Sequence, residues 1–447
     1  MTLRKYILSF LIVLFWSMGS NAQDSLDSLL TKQEVISRAL DENFGIRIAE
    51  NNVEIADNNQ NILNSGYLPT LTGLAGANYD LNDRVTEPEN GETVDQRGIE
   101  SNRYNASINL GYTLFDGLGR LYNYRSLQEQ YDLSQLEARE TIENTILQIM
   151  SVYYEVARLS ENINVLEETL EISKNRVTRA QYQFEYGQAN NLVVLNARVD
   201  VNNDSISLIE TEQLLKNTKR DLNVLLNREI TANEFSVDTT VTFISDLELD
   251  SFVTEAELHN VSLLQIEQSL EISDYDIKIN KSGYLPSIDL TGSYGWNLNR
   301  SAATAFFPGS TTTTDGLAAG VSLRWDLFDG GFRNIQVRNS KIRYQNQQIQ
   351  KEQLISQVQR DIANSLGNYR NKLFILKVQE ENVETNLNNF NRSEEQYKLG
   401  RISSIEFRQA QINLLDARTS LNLAKYDAKL AELQVLQLTG QLLNVNL

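Results

Sequence analysis

The sequence predicts a mainly α-helical protein with a smaller, membrane-spanning β component. Three observations lead there: an internal duplication, a switch to two-residue periodicity at one place in each copy, and long proline-free stretches whose apolar residues step by threes and fours.

The duplication comes first, because it organises everything else. Ser65-Gly66-Tyr67-Leu68-Pro69 returns 217 residues later as Ser282-Gly283-Tyr284-Leu285-Pro286. Leu114-Phe115-Asp116-Gly117 returns 213 residues later as Leu327-Phe328-Asp329-Gly330. Gly187, with Ala197 ten residues on, matches Gly400 and Ala410, again 213 later. Three landmarks in one order define two copies of a unit, 23–228 and 251–447, joined by 229–250. The spacing changes only between the first two landmarks, so an exposed loop is expected there. The four prolines agree: Pro69 and Pro286 lie in the first landmark, Pro88 and Pro308 in the expected loops, and none in a helical stretch.

Between the landmarks the period becomes two. Tyr104, Ala106, Ile108, Leu110, Tyr112 and Leu114 alternate with polar or small residues. Ile288 to Leu298 and Leu317 to Leu327 do the same, and Thr70 to Leu81 more weakly. Each copy therefore has two strands of about a dozen residues around a polar loop (83–100 and 299–315), long enough for a tilted strand to cross an outer membrane at about 9–11 residues. One face is apolar and rich in Tyr and Trp. The other holds Asp289, Arg324 and Asp326, which a dry core would not accept unpaired. A barrel with lipid outside and water inside satisfies both faces, and these three residues are expected in its lumen. Four strands cannot close a barrel, and open edges are not viable in lipid, so several protomers must share one.

The remainder reads as helix. Ile142, Ile146, Ile149, Tyr153, Val156, Ile163, Leu166 and Leu170 follow coiled-coil spacing, as does the series from Ile355 to Phe390. Gly66 and Gly283 mark helix ends, and Asp116 and Asp329 are placed to cap the helices that follow. Segments 118–186 and 331–398 would each run roughly 100 Å. Their return partners, 190–227 and 401–439, run about 57 Å, and 30–65 and 252–282 are shorter. Each copy thus reads helix, hairpin, long helix, tip at Gly187 or Gly400, and return helix. A returning helix stacked on a short one would match a long one, giving a helical tube below a membrane barrel, with 229–250 as a small collar.

The first 22 residues read as an export signal: Arg4 and Lys5, an apolar run from Tyr6 to Met18, then Ser20-Asn21-Ala22. The run is short for a spanning helix, although an uncleaved anchor is the alternative. No cysteine is present, which removes disulfides, thiolate metal sites and lipid attachment at cysteine. The single histidine, His259, sits in a helical pattern, and no phosphate-binding glycine loop occurs. Catalytic, metal and cofactor sites are therefore not expected. A net charge of −19 disfavours nucleic acid. It reads either as a solvated surface or as an acidic lumen preferring cations.

Taken together, duplication, hairpins, helices and tips resemble the outer-membrane efflux protein family, the TolC-like channels. The opening Thr31-Lys32-Gln33-Glu34 through Ala39-Leu40 to Asn43 is similar to the family's start. Phe184-Glu185-Tyr186-Gly187 leading to Ala197, and Tyr397-Lys398-Leu399-Gly400 leading to Ala410, resemble its tips. The resemblance implies a homotrimer with a twelve-stranded barrel in outer-membrane lipid and an α-helical periplasmic tunnel. It implies an export conduit for efflux or type I secretion, partnered by a periplasmic adaptor (a membrane fusion protein) and an inner-membrane pump of RND, ABC or MFS type. The tips would meet the adaptor through Gly187, Gln188, Ala189, Asn190, Gly400, Arg401, Ile402 and Ser403. Tyr397, Arg401, Glu406 and Gln409 would lie at the periplasmic entrance. Read as bare residues, Arg401 and Glu406 are equally solvated charges beside a turn. The alternative to a conduit is a periplasmic coiled-coil spacer or adhesin that never forms a pore.

Overall fold

The computed structural model describes residues 28–89, 91–304 and 308–445; the expected export signal over 1–22 lies outside them. The first copy runs β1 (Ser28–Leu30), α1 (Lys32–Glu42), α2 (Phe44–Gln60), β2 (Thr70–Thr86), β3 (Val94–Phe115), α3 (Gly119–Glu185) and α4 (Asn191–Leu225). The joining segment contributes β4 (Phe235–Val237). Then follow α5 (Asp246–His259), α6 (Val261–Ser282), β5 (Ser287–Ser301), β6 (Ser310–Arg324), α7 (Phe332–Lys398) and α8 (Ser404–Leu438). The long helices have 67 residues in both copies and the return helices 35, within three residues of the expected ends. Among the described residues, no helix is long and apolar enough to cross a membrane.

The short helix of each copy, expected in one piece, is two. The breaks fall at Asn43 and Asn260, both buried. The Asn43 side-chain oxygen accepts the N–H groups of Gly45 (2.8 Å) and Ile46 (3.2 Å), starting α2, while its amide donates to the Leu225 carbonyl at 2.8 Å. The Asn260 amide donates to the Leu438 carbonyl at 2.8 Å. Leu225 and Leu438 end the two return helices, where carbonyls lack helical partners, so both copies use one device. Asn43→Ala removes the cap and strands that carbonyl, and should lower the unfolding free energy by about 1–3 kcal/mol. Asn43→Asp keeps the cap and should recover only part; thermal melts followed by circular dichroism measure both.

The chain forms two compact units, each drawing on both copies. One comprises residues up to Ala49 with Glu140–Asn260 and Gln357–Leu447; the other comprises Glu50–Arg139 and Val261–Ser356.

The second unit holds an antiparallel sheet in the order β2-β3-β5-β6. Its strands are longer than the apolar alternation suggested, and pairing continues through polar residues to Thr86↔Val94 and Ser301↔Ser310. Backbone hydrogen bonds do not require apolar side chains, so periodicity marks only part of each strand. Conversely, β6 stops at Arg324 although alternation runs to Leu327. Its last partner is Ser287, the first residue of β5, whereas β3 continues to Phe115 because β5 flanks it. Asp116 and Asp329 cap as expected: their carboxylates accept the N–H of Arg120 (2.9 Å) and Arg333 (3.0 Å). Those two arginines reach back to the carbonyls of Thr113 and Asp326, fastening each long helix to its hairpin. At Gly117 (φ 71°) a Cβ would stand 2.3 Å from the Ser282 carbonyl oxygen, so only glycine fits the turn. In the same unit, α6 bonds to α3 through Gln268 and Gln265, and to α7 through Asn280–Ser340 and Lys351–Glu267.

The first unit is built round a core of Ile149, Met150, Tyr153, Tyr154, Leu222, Tyr426, Leu433 and Leu436. Here the joining segment is tied down. β4 pairs in parallel with β1, a strand the sequence did not reveal. The Tyr153 hydroxyl donates to the Leu30 carbonyl (3.0 Å) and accepts the Asp238 N–H (2.9 Å). The buried Lys429–Glu432 pair holds the Thr242 carbonyl and the Ile244 N–H. Burial pushes Tyr153 up to about 12 from 10.0, and raises Tyr154 and Tyr426 too. A raised folded value stabilises the fold fully below pH 10 and loses that contribution as pH climbs through about 12. Tyrosinate absorbance and helicity, titrated together, should therefore show these tyrosines ionising only as the helices melt.

Candidate functional site: a two-faced sheet and two hairpin tips

Sheet register decides which side chains share a face, because direct cross-strand partners point the same way. Gly73, Ile108, Tyr294 and Leu317 form one row, and Thr72, Asn109, Ser293 and Ala318 form the next, facing oppositely. The apolar face gathers Leu71, Tyr104, Trp296, Val321 and Leu323, all exposed. β6 is exposed along its whole length. On the polar face, Asp289 accepts the Thr113 hydroxyl at 2.7 Å, and Arg324 shares that face across from Ser287. Asp326 follows the strand end, where its carboxylate meets Arg324 (3.3 Å) and Arg333 (2.8 Å). Among the described residues, β2 and β6 each have a partner on one side only.

At the tips, Gly187 (φ 74°) and Gly400 (φ 71°) take the left-handed turn that ends α3 and α7. The closing bonds match: Gln188 N–H to Gln183 oxygen at 2.7 Å, and Arg401 N–H to Gln396 oxygen at 2.9 Å. Gly187, Gln188, Asn190, Gly400, Arg401 and Ser403 are exposed, and Ala189 is half-buried. Ile402 packs on a cluster of Phe390, Tyr397, Phe407 and Leu414. The tips differ in their caps. Asn190 makes no side-chain cap bond, whereas Ser403 and Glu406 form a reciprocal capping box. Glu406 accepts the Ser403 N–H (2.7 Å) and hydroxyl (2.8 Å), which hold its carboxyl below the usual range. Gln409 is exposed and bonded to Asn413 at 2.8 Å. Tyr397 is buried, its ring stacked on Phe407 at 4.8 Å between centroids, with the Arg179 guanidinium 5.1 Å from its centre.

Just above the tips lies a charged cluster that periodicity does not announce. Arg408 of α8 pairs with Asp204 at 2.6 Å, and Arg176 of α3 pairs with Asp200 at 3.0 Å. Ser173 donates to Asp204, Arg408 and Arg176 reach Gln411, and Arg176 also donates to the Ser404 hydroxyl at 2.9 Å. Arg176, Asp204 and Gln411 are buried. Two guanidiniums thus meet two carboxylates among α3, α4 and α8, joining the hairpin that ends at Gly187 to the one that ends at Gly400.

A family model described as Outer membrane efflux protein matches residues 35–228 and again 252–441. The chain belongs to the outer membrane efflux protein family. Outer membrane protein TolC of Vibrio cholerae is 24% identical over 393 residues, spanning 85% of this chain and 83% of that protein. Outer membrane efflux protein BepC of Brucella suis is 20% identical, spanning 94% and 87%. Among solved structures, the CmeC outer membrane channel of Campylobacter jejuni superposes with a TM-score of 0.73 at 18% identity, over 95% of this chain and 91% of that one. VceC of Vibrio cholerae gives 0.72 at 15% identity, over 92% and 96%. This outer membrane efflux protein thus has the TolC-like fold, mainly helical with four long strands.

For this efflux protein, sequence reasoning located the tips and the sheet faces and missed the charged cluster. One signal was available: Arg176 and Asp204 interrupt coiled-coil apolar positions on facing helices, and a charge there demands a partner.

Proposed function

We propose that three copies of this protein assemble as an outer-membrane channel, the passive exit of a tripartite efflux or type I secretion system. The observation that carries this reading is the sheet. It has one apolar and one polar face, and two strands, β2 and β6, each paired on one side only. Pairing β6 of one protomer with β2 of the next satisfies both edges, and three protomers give twelve strands, enough to close a barrel. The helices offer a matching seam. Ile335, Ile342 and Ile349 on α7, and Ile48, Ile55 and Ile62 on and just after α2, are exposed at seven-residue intervals, the repeat of a helix that packs along a neighbour. Family membership and relatives named for the outer membrane and for efflux support the same reading.

The polar sheet face, with Asp289 and Arg324, would line the lumen. The tips around Gly187–Asn190 and Gly400–Ser403 would meet a periplasmic adaptor that couples the channel to an inner-membrane pump, with Tyr397, Arg401, Glu406 and Gln409 near the entrance. Reconstitution in planar bilayers tests the pore: stepwise conductance is expected from assembled protein. Recovery as a water-soluble monomer, silent in bilayers, would overturn the proposal. Glu406→Gln retains side-chain acceptance for the capping box and removes the charge. It should reduce cation preference, read as a shifted reversal potential under a salt gradient, and an unshifted value removes Glu406 from the conducting path.

A further inference from the structure

We propose that each protomer meets the next through a second use of its own internal joint, with the turn after β6 seated on the Ser65–Pro69 segment of the neighbouring protomer. The two repeats already meet this way inside one chain. β3 pairs with β5, and the turn leaving β3 packs on the segment entering β5. Gly117 in that turn is buried, and a Cβ on it would stand 2.3 Å from the Ser282 carbonyl oxygen and 2.9 Å from the Leu285 Cβ. The matching turn after β6 is bare. Gly330 has the same φ of 71° as Gly117, yet it is exposed, and no described atom lies within 4 Å of a Cβ placed on it. Phe328 is 87% exposed, whereas its equivalent Phe115 is half-buried. The entry to β2 is uncovered too, with Leu63 and Leu68 exposed. Each repeat thus carries both halves of the joint, and a single chain leaves one half unmated at each end of its sheet.

The helices beyond the joint supply the register. Inside the chain α6, which leads into β5, runs antiparallel to α3, which leaves β3. The Gln268 and Gln265 amides reach the Glu129 and Leu136 carbonyls, each at 3.3 Å. The repeat offsets are 217 across the entry helices and 213 across the long ones. They carry those two pairs to Asn51 with Ile342 and Ile48 with Ile349, on the stripes of exposed isoleucine. On α7 that stripe faces away from its own chain: Ile335 and Ile342 stand two residues, about 200°, from Val337 and Ser340, the buried side that meets α6. In this register Ile62, Ile55 and Ile48 of one protomer lie beside Ile335, Ile342 and Ile349 of the next. Exposed amides stand between the isoleucine layers, Asn51 and Asn58 on α2, Gln345 and Asn339 on α7. A slip of half a heptad would set isoleucine against amide, so the layers select one register. The joint is not an exact repeat, because Gly331-Phe332 stands where the first repeat has Leu118-Gly119. The assignment rests on the channel reading, since pairing β6 with β2 is what brings the two unmated halves together.

The chain lacks cysteine, so engineered pairs report contacts cleanly. In outer membranes treated with a mild oxidant, Ile55→Cys with Ile342→Cys should give covalent dimers and trimers on non-reducing gels. Ile55→Cys with Ile335→Cys, displaced by one heptad or about 10 Å, should stay monomeric. Gly330→Asn adds a Cβ at a left-handed position that Asn tolerates. It should keep the helical circular-dichroism signal of the parent while reducing the trimer recovered by size exclusion several-fold. Gly117→Asn, at the internal joint, should instead lower the melting temperature. Conducting channels in which the matched cysteines fail to link, or link no better than the displaced pair, overturn the joint alone, as does undiminished trimer from Gly330→Asn. Absence of cross-links together with absence of conductance overturns the channel reading as well.

Discussion

Arg408→Met should lower the unfolding free energy by about 3–5 kcal/mol, because it leaves the Asp204 carboxylate buried with its positive partner gone. Asp204 is 5% exposed, and Arg408 provides two of its bonds, at 2.6 and 2.9 Å. Ser173 remains, but a hydroxyl cannot replace a cation. The double variant Arg408→Met with Asp204→Leu should recover most of the loss, since apolar replacement of a whole buried pair is often close to neutral. The position also matters. Arg408 joins α8 to α3 and α4, so the single variant should loosen the helices that carry the tips, and protease sensitivity near Gly400 should rise before the core melts. Chemical denaturation of the four members of the cycle gives the coupling energy directly. A single variant as stable as the parent would show that the cluster is solvated and does not fasten the hairpins.

The second large effect is expected in the sheet, from two adjacent substitutions with opposite outcomes. Leu317→Arg places a charge on the apolar face, in the row of Ile108 and Tyr294. At a bilayer midplane this should cost about 2–4 kcal/mol in each protomer, incurred three times in a trimer. Assembly in the outer membrane should fail, visible as loss of trimer by size-exclusion chromatography and loss from the membrane fraction. Ala318→Arg changes the next residue, on the face shared with Ser293 and Asn109. That protein should assemble and conduct, with selectivity shifted toward anions. If both variants assemble equally well, lipid does not contact the Leu317 face and the barrel proposal falls.

Much of the architecture was legible because its signals are periodic or repeated. Two occurrences of SGYLP and LFDG marked the copies, alternation found the centres of four strands, and a glycine with an alanine ten residues on, repeated in both copies, marked the turns at Gly187 and Gly400. Legibility failed where the cause is a single contact far along the chain. Asn43 and Asn260 break helices because each bonds the end of a return helix, 182 and 178 residues away in sequence. β1 exists because β4 lies beside it. Strand ends followed the pairing of neighbours, so β3 outran its apolar pattern at one end while β6 stopped short of its own.

Order, handedness of turns and which residues could tolerate lipid or water were set locally, since backbone preference and side-chain polarity act within a few residues. Which charges neutralise one another was settled only in three dimensions. Arg176 and Arg408 stand on different helices from each other and from the helix that carries both Asp200 and Asp204, and Tyr397 acquired a buried, unpartnered hydroxyl only when α3 and α8 closed around it. Electrostatic pairing and desolvation depend on distance through space, and spacing along the chain does not encode that distance.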